Sequence, residues 1–241
     1  MIETGKIYNE DCFTTMNKMI ESNYQVNNII TQPPESVNFI NLFVCFDKIL
    51  KKNGIILISL IYNKDSPIRT YETIVNIEKH TNFKLADIIT WIKSPVLPNN
   101  MNKNRVTRQH EEIYIFCRKD EFKTFKTNKK VVSFRETGQP NYSNLNNVIH
   151  APIRDKKVKT FKYNVFSTDL VLELLNMYVK KSYIVYDPFS GTGTTFNACV
   201  IYKCKCIASE VDKEQIEYAM KRIINTRRLL RKKNNKIINK I

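Results

Sequence analysis

Short apolar runs alternate with stretches of helical period along most of the chain. The run Ile55–Ile61 is apolar on both faces apart from one serine, which predicts a fully buried strand. Asn28–Thr31 ends another predicted strand, because Pro33 and Pro34 cannot continue it. Helical and strand patterns then follow each other in turn, and this order predicts a mostly parallel central sheet with helices on both faces.

One helix is predicted over Val37–Lys51, with Asn53-Gly54 as its stop. Its expected core positions are Phe39, Ile40, Phe43, Val44, Ile49 and Leu50. The same patterns predict further helices over 68–80, from 169, over 194–202 and from 212 towards 231, and strands over 84–92, 112–118, 183–186 and 205–209. Asp212 is the expected N-cap of the last helix.

The composition changes between residues 120 and 162, where lysine, asparagine, threonine and serine dominate. Apolar residues are scattered there and follow neither the helical nor the strand period. We therefore expect an insertion or long loop system that lies outside the core.

The chain is strongly basic, with 39 Lys and Arg against 23 Asp and Glu and a formal net charge of +16. This excess favours a polyanionic partner such as nucleic acid, because neutralised phosphates release counterions. A solubility charge or a lysine- and asparagine-rich genome bias is the alternative explanation. The basic residues spread over several segments, which makes a membrane surface the weaker choice.

The cysteines and histidines indicate no metal site. The six cysteines form no C-x-x-C motif and the three histidines lie far apart, so we expect reduced thiols and no bound metal. The N-terminal sequence MIETGKIYNEDC lacks the basic and apolar regions of a signal peptide, and no apolar stretch is long enough to span a bilayer. We therefore expect an intracellular protein with no membrane partner.

A glycine-containing turn is predicted over 187–195, which reads D-P-F-S-G-T-G-T-T between a strand and a helix. Gly191 and Gly193 allow the backbone to turn sharply near a ligand, which the amides of the helix start would face. Phe196 replaces the third glycine of a dinucleotide site, and the G-K-[ST] of a P-loop is absent. Glu210 ends the next predicted strand, where a carboxylate can accept hydrogen bonds from both hydroxyls of a ribose. A glycine turn without any ligand is the alternative.

The D-P-F-S-G-T-G-T-T string resembles the cofactor motif of the amino-directed DNA methyltransferases. The opening G-K-I-Y-N-E-D-C-F, the later N-N-I-I-T-Q-P-P, Trp91-Ile92-Lys93 and His110-Glu111 also resemble stretches of that family. Here the catalytic loop comes first and the cofactor loop last, which is the order called beta class. The resemblance covers nearly the whole chain.

This resemblance implies a Rossmann-like methyltransferase fold with a small basic target-recognition insertion. It implies S-adenosylmethionine as the cofactor, double-stranded DNA as the partner, and an exocyclic base amino group as the target, adenine N6 being preferred over cytosine N4. The cofactor-binding residues that it implies are Asp11, Cys12, Asp187, Pro188, Phe189, Ser190, Gly191, Gly193, Thr194, Thr195 and Glu210. A homodimer or a partner methyltransferase subunit stays open.

The catalytic loop that the resemblance implies departs from the family pattern of Asp, Asn or Ser, then Pro-Pro, then an aromatic residue. Here it is formed by Gln32, Pro33, Pro34 and Glu35. Gln32 keeps an amide oxygen that can accept a hydrogen bond, but it is one methylene longer than Asn. Glu35 removes the ring that would stack on a flipped base. The family's H-P-T-x-K-P stretch is also poorly matched by residues 163–168.

Two interpretations of this departure stay open. The enzyme is active and another ring replaces the missing one, for which Phe39, Tyr62 and Trp91 are candidates, or the chain is a catalytically impaired DNA- and cofactor-binding pseudomethyltransferase that serves as a partner subunit. Methylation of RNA or of protein glutamine is a weaker third hypothesis, because similar loops serve there.

The family resemblance and the charge pattern together predict a division of the chain. We expect a catalytic half over 1–119, a basic target-recognition insertion over 120–165, a cofactor-binding half over 166–231 and a basic tail over 232–241. The candidate DNA-binding residues are Lys103, Arg105, Arg108, Lys129, Lys130, Arg135 and Arg154. A solvated basic loop is the alternative for these residues.

Overall fold

The computed structural model describes residues 2–63, 65–96, 98–99, 103–155 and 166–238. Within these ranges the strands are β1 (Lys6–Asn9), β2 (Val26–Thr31), β3 (Leu50–Ser59), β4 (Phe83–Ser94), β5 (His110–Arg118), β6 (Val131–Phe134), β7 (Pro140–Tyr142), β8 (Val148–Pro152), β9 (Ile184–Asp187) and β10 (Lys205–Glu210). The helices are α1 (Cys12–Glu21), α2 (Phe39–Ile49), α3 (Arg69–His80), α4 (Thr168–Tyr178), α5 (Thr194–Tyr202) and α6 (Lys213–Ile238), and a short 3-10 helix spans Lys119–Glu121.

Eight strands form one sheet in the order β1-β10-β9-β2-β3-β5-β4-β8. Among the described pairings of this sheet, only those of β5 with β3 and β4 are antiparallel, so the predicted mostly parallel sheet is confirmed. The remaining strands all end at one edge of the sheet, which we call the carboxyl edge. The opposite edge is the amino edge. In open parallel sheets, ligands bind outside the carboxyl ends of the strands.

Helices cover both faces of the sheet, as expected. On one face, Leu174 of α4 and Phe196 of α5 are buried in the same apolar cluster as Ile115 of β5. On the other face, Phe43 of α2 packs edge-on against Phe116, with ring centroids 5.1 Å apart. Each helix thus contributes one apolar stripe to a layer against the sheet, which is the arrangement that buries both sheet faces.

Helix α2 differs from its prediction in its core face and its end. Val44 is 43% exposed, whereas Leu42 and Phe46 are fully buried beside Phe43. The buried positions follow the helical spacing from 42 to 49, and Val44 projects away from that stripe. The helix also ends at Ile49, before the predicted stop.

The predicted stop at Asn53-Gly54 lies inside β3 instead. Asn53 has a left-handed φ of 58°, close to a register shift between β2 and β3. A Cβ on Gly54 would lie 2.7 Å from the carbonyl oxygen of Asn27, so only glycine allows this close approach of two strands. The dipeptide therefore shapes an irregular strand rather than a helix end.

The expectation that residues 120–162 lie outside the core is wrong for β8. This strand pairs in parallel with β4, and its residues Ile149 and Ala151 are buried in the main core. The alternating pattern of this short strand is easily missed between polar neighbours. By contrast, β6 and β7 form a separate two-stranded sheet with a largely exposed surface. The division of the chain into four segments stays a prediction, and residues 156–165 lie outside the described ranges.

None of the helices in the described ranges is both long and apolar enough to cross a bilayer.

Candidate active site

The double-proline turn (residues 32–35) and the glycine turn (residues 187–195) meet in one cavity of about 340 Å³ at the carboxyl edge. They are brought together by the pairing of β2 with β9, in which Asn28 lies opposite Val185 and Ile29 opposite Tyr186. Of the predicted site residues, those that line the cavity are Asp11, Cys12, Gln32, Pro34, Asp187, Pro188, Phe189, Ser190, Gly191, Thr194, Thr195 and Glu210. Pro33, Glu35 and Gly193 are not part of its lining.

The glycine turn is held in a left-handed conformation that favours glycine. Gly191 has a φ of 51° and Gly193 a φ of 74°, directly before α5 begins. A Cβ on Gly193 would lie 2.7 Å from the Cβ of Ala219, so this residue lets α6 approach the turn. Gly193 therefore shapes the cavity from behind.

Two hydroxyls of the glycine turn, those of Ser190 and Thr192, are buried. Both lie in the cavity lining, and neither hydroxyl oxygen has a hydrogen-bond partner among the described residues. Buried polar groups are almost always satisfied, so these hydroxyls are suited to bind a polar ligand. The start of α5 adds partial positive charge, because the first amides of a helix have no partner within the helix.

Glu210 stands at the end of β10 and fixes the shape of the turn. One carboxylate oxygen accepts a hydrogen bond of 2.7 Å from the amide of Gly191, and the other accepts one of 2.9 Å from the amide of Asp212. Each oxygen retains a further lone pair for a ligand. Asp212 in turn caps α6 by accepting hydrogen bonds from the amides of Glu214 and Gln215, as predicted.

Asp187 is the buried acid of the cavity. Burial raises the pKa of its carboxyl group to about 6, against the lowering effect of hydrogen bonds such as the one of 3.1 Å from the amide of Phe189. A positively charged ligand nearby would favour the ionised form of this carboxyl group.

Asp11 and Cys12 close another side of the cavity at the start of α1. The carboxylate of Asp11 caps that helix by accepting a 2.8 Å hydrogen bond from the amide of Phe13, and it is exposed. Cys12 is buried, and burial raises the pKa of its thiol to about 12, so it is neutral at physiological pH. It offers an apolar surface rather than a nucleophile.

The double-proline turn presents two of its four residues to the cavity. Gln32 and Pro34 line it, whereas Glu35 points to the other side of the turn. There Glu35 accepts a 3.1 Å hydrogen bond from the side-chain amide of Asn63 and lies 3.7 Å from Arg69. The negative charge of Glu35 is thus kept out of the cavity.

Three rings are candidates to replace the missing aromatic residue at position 35, and they occupy different environments. Trp91 is buried, and its indole N–H donates a 3.0 Å hydrogen bond to the carbonyl of Ala151. Phe39 lines the small cavity beside Glu35. Tyr62 is partly exposed, and the guanidinium of Arg108 lies 3.7 Å from its ring centroid.

The candidate DNA-binding residues divide into two groups. Arg108 and Arg105 lie on the loop before β5, where Arg105 approaches Asp65 at 3.8 Å, and Arg154 follows the end of β8. All three are therefore near the carboxyl edge, and Lys103 precedes them on the same loop. Lys129, Lys130 and Arg135 instead flank β6. The chain enters that hairpin from the amino edge, because Asn128 donates hydrogen bonds of 2.9 Å to the carbonyls of Asn176 and Val179.

One residue near the site, Arg222 of α6, is not among the site residues that the sequence predicts. Arg222 is mostly buried and donates to the carbonyl of Thr192 at 3.3 Å and to the hydroxyl of Thr194 at 3.0 Å. It also donates to the hydroxyl of Thr168 at 2.7 Å and forms an ion pair with Asp155. This network supports the glycine turn from the side of α6. No motif or spacing in the sequence indicates it.

No group of three or more histidine, cysteine or acidic side chains that could hold a metal ion occurs in the part of the chain that the structure describes.

Residues 5–221 match the N6/N4 methyltransferase family model, which is described as DNA methylase. The chain is similar to the crystal structure of an M1.HpyAVI–SAM complex, with 25% identity, a TM-score of 0.70 and coverage of 90% of this chain and 98% of that one. It is also similar to the crystal structure of M1.HpyAVI, with 24% identity, a TM-score of 0.66 and the same coverage. The cytosine-N4-specific PvuII DNA methyltransferase shares the fold, with 18% identity, a TM-score of 0.68 and coverage of 92% and 87%. No curated protein matches the chain.

Proposed function

The chain belongs to the N6/N4 DNA methylase family, and from this premise we propose that it is an active S-adenosylmethionine-dependent methyltransferase acting on an exocyclic amino group in DNA. The observation that carries the proposal is the single cavity that holds both Gln32 and the glycine turn. A base amino group held by Gln32 would lie next to a cofactor held by the glycine turn.

The residues of the glycine turn fit S-adenosylmethionine. The unpartnered hydroxyls of Ser190 and Thr192 and the helix-start amides offer donors and acceptors to its polar groups. Glu210 stands where a carboxylate can accept hydrogen bonds from ribose hydroxyls. Asp187, when ionised, favours a positively charged ligand. When bound, the cofactor supplies a methyl group on a positively charged sulfur, which makes that carbon electrophilic.

Gln32 is the residue that we assign to the target amino group. Its side-chain oxygen accepts a hydrogen bond from the amino N–H and thereby directs the nitrogen lone pair towards the methyl group. Pro33 and Pro34 stiffen the turn and keep this acceptor in place. Because Glu35 is bound to Asn63 and faces Arg69, its charge does not occupy the space of the base. Catalysis then rests on positioning.

Adenine N6 is our preferred target over cytosine N4, and this preference rests on the family resemblance. Of the similar structures, one is named as cytosine-N4-specific. For the duplex, we assign phosphate contacts first to Arg105, Arg108 and Arg154, because these lie at the carboxyl edge with the cavity. Lys103 belongs to the same loop, whereas Lys129, Lys130 and Arg135 would contact DNA only further from the cavity.

The direct test incubates the pure protein with methyl-labelled S-adenosylmethionine and duplex DNA of mixed sequence, followed by digestion to nucleosides. We expect label in N6-methyladenine. Label in N4-methylcytosine would overturn the preference for adenine but would support methyl transfer to an exocyclic amino group. Competition by duplex DNA and not by RNA would exclude the RNA hypothesis.

An impaired methyltransferase that acts as a partner subunit is the second candidate function. It is favoured by one observation, namely that position 35 carries no ring and its side chain is held away from the cavity. The transfer assay and calorimetry together separate the two functions, because this candidate predicts cofactor binding by calorimetry but no labelled nucleoside at high enzyme concentration.

A further inference from the structure

The catalytic turn lacks a ring where a flipped base would need one. The side chain at position 35 is a carboxylate that turns towards Asn63 and Arg69. Base–aromatic stacking is a large and sequence-tolerant contribution to the binding of an unpaired base, so an active enzyme would gain from a ring at another position near the cavity. The structure allows the three candidate rings to be separated by their surroundings.

Two of the candidates do not line the cavity that contains Gln32. Trp91 is 3% exposed and packs edge-on against Phe166 at a centroid distance of 6.2 Å. Its N–H is already bonded to Ala151. Phe39 lies behind the catalytic turn, in the small cavity that also contains Glu35. Trp91 cannot receive a base without disruption of the packing around it, and Phe39 lies in a different cavity from Gln32.

Tyr62 is the candidate that stands beside the cavity and is reachable from outside. It follows β3, whose residue Ile58 pairs with Thr31 directly before Gln32. Its neighbour Ile61 lines the main cavity together with Gln32. The ring of Tyr62 is 37% exposed.

The partner of Tyr62 is itself planar and cationic. Arg108 precedes β5, which runs antiparallel to β3 and therefore starts at the carboxyl edge. Its guanidinium lies 3.7 Å from the centroid of the Tyr62 ring. A guanidinium stacked on a ring occupies the same kind of space as a stacked base, and it can exchange this contact for one with a phosphate.

We propose that Tyr62 supplies the aromatic face for the unpaired base and that Arg108, which covers this ring, moves to a backbone phosphate when the base is bound. This inference rests on the proposed function, since it names the residue that takes over the stacking role of position 35. Tyr62 and Arg108 thus form a binding site for the base between the loop that follows β3 and the loop that precedes β5.

Two measurements test the proposal. In the methyl-transfer assay, Tyr62→Ala should lower kcat/KM for DNA about 10- to 100-fold, while Tyr62→Phe retains most of it. The dissociation constant of S-adenosylmethionine should change less than about twofold in both variants. In the second measurement, a short single-stranded oligodeoxynucleotide with one 2-aminopurine should lose fluorescence on binding to the wild type and to Tyr62→Phe, but not to Tyr62→Ala.

The matched control is Tyr202→Ala. The ring of Tyr202 is covered by Lys181 at 3.5 Å, but this pair lies at the amino edge, far from the cavity. Equal fluorescence quenching by Tyr62→Ala and the wild type would overturn the proposal, whatever the methylation rate. A wild type that quenches the probe but transfers no methyl group and binds no cofactor would instead contradict the proposed function and leave Tyr62 as a base-stacking residue.

Discussion

The amide of Gly191 donates a 2.7 Å hydrogen bond to the carboxylate of Glu210, and this bond joins the glycine turn to the end of the next strand. The two residues come from different strand–helix connections, yet both line the same cavity. Glu210 therefore holds the turn in shape, and we propose that its remaining lone pairs accept hydrogen bonds from the cofactor.

Glu210→Gln should weaken S-adenosylmethionine binding by at least about 10-fold, because the variant loses the charge in these hydrogen bonds. The amide nitrogen of glutamine would also face an N–H donor at Gly191 or Asp212. Isothermal titration calorimetry measures the change. The exposed Glu217→Gln on α6 is the control, and equal affinities of the two variants would refute the role of Glu210.

Gly193→Ala should destabilise the protein more than Gly5→Ala, by about 1–3 kcal/mol, because only the former adds a steric clash. Both glycines have a left-handed φ, but a Cβ on Gly5 meets nothing within 4 Å, whereas one on Gly193 meets Ala219. Denaturant unfolding gives both values. The double variant Gly193→Ala/Ala219→Gly should recover most of the difference, and a failure to recover would show that the contact is not the cause.

Asp187→Asn should change the dependence of stability on pH between about 4 and 6. Burial raises the pKa of Asp187 to about 6 in the folded state, above the value of 3.8 for the free side chain. The folded state then binds more protons than the unfolded state in this window, so ionisation of Asp187 removes stability as the pH rises through it. The stability of the variant relative to the wild type should therefore increase from pH 4 to pH 7, by about 2–3 kcal/mol. A pH-independent difference would contradict the raised pKa.

Gln32→Ala should lower the rate of methyl transfer at least about 100-fold, because it removes the acceptor that positions the amino group. The affinity for S-adenosylmethionine should stay within about twofold of the wild-type value, since we assign Gln32 to the base. Transfer of a radiolabelled methyl group gives the rate, and calorimetry gives the affinity for S-adenosylmethionine. Gln25→Ala, an exposed residue just before β2, is the control. Similar rates for the two variants would remove Gln32 from the mechanism.

Arg222→Ala should destabilise the fold by about 3 kcal/mol, because it leaves the carboxylate of Asp155 without its mostly buried partner. The double variant Asp155→Asn/Arg222→Ala should be less destabilised than the sum of the single changes. Arg228→Ala, an exposed arginine on the same helix, should stay within about 0.5 kcal/mol of the wild type. Additive effects in the double-mutant cycle would mean that the pair does not interact.

The sequence predicted those elements well in which local pattern and tertiary environment agree. Helix α5 spans Thr194–Tyr202 as predicted, because a glycine turn and a buried apolar run define both ends. Asp212 also caps α6 as predicted, although the helix continues to Ile238. Gln32 and the glycine turn meet because β2 and β9 are parallel neighbours that end at the same edge of the sheet.

The sequence failed where a residue's role depends on a distant partner. Asn53-Gly54 has the composition of a helix stop, but the neighbouring strand at Asn27 requires glycine there. Arg222 looks like any basic residue of a terminal helix, and only the fold brings it to Asp155 and the glycine turn. The direction of Glu35 was equally beyond local pattern, because it is set by Asn63 and Arg69.

The return of the chain to the main sheet as β8 has a consequence for how this protein can vary. The stretch between Glu121 and Val148 leaves from one fixed point and comes back to another, since Arg118 is bonded to Asp47 and β8 is paired with β4. Within it, β6 and β7 form a separate, largely exposed sheet, so we expect changes there to leave the residues around the cavity in place. We therefore expect related chains to differ in this exposed sheet while the residues around the cavity stay the same.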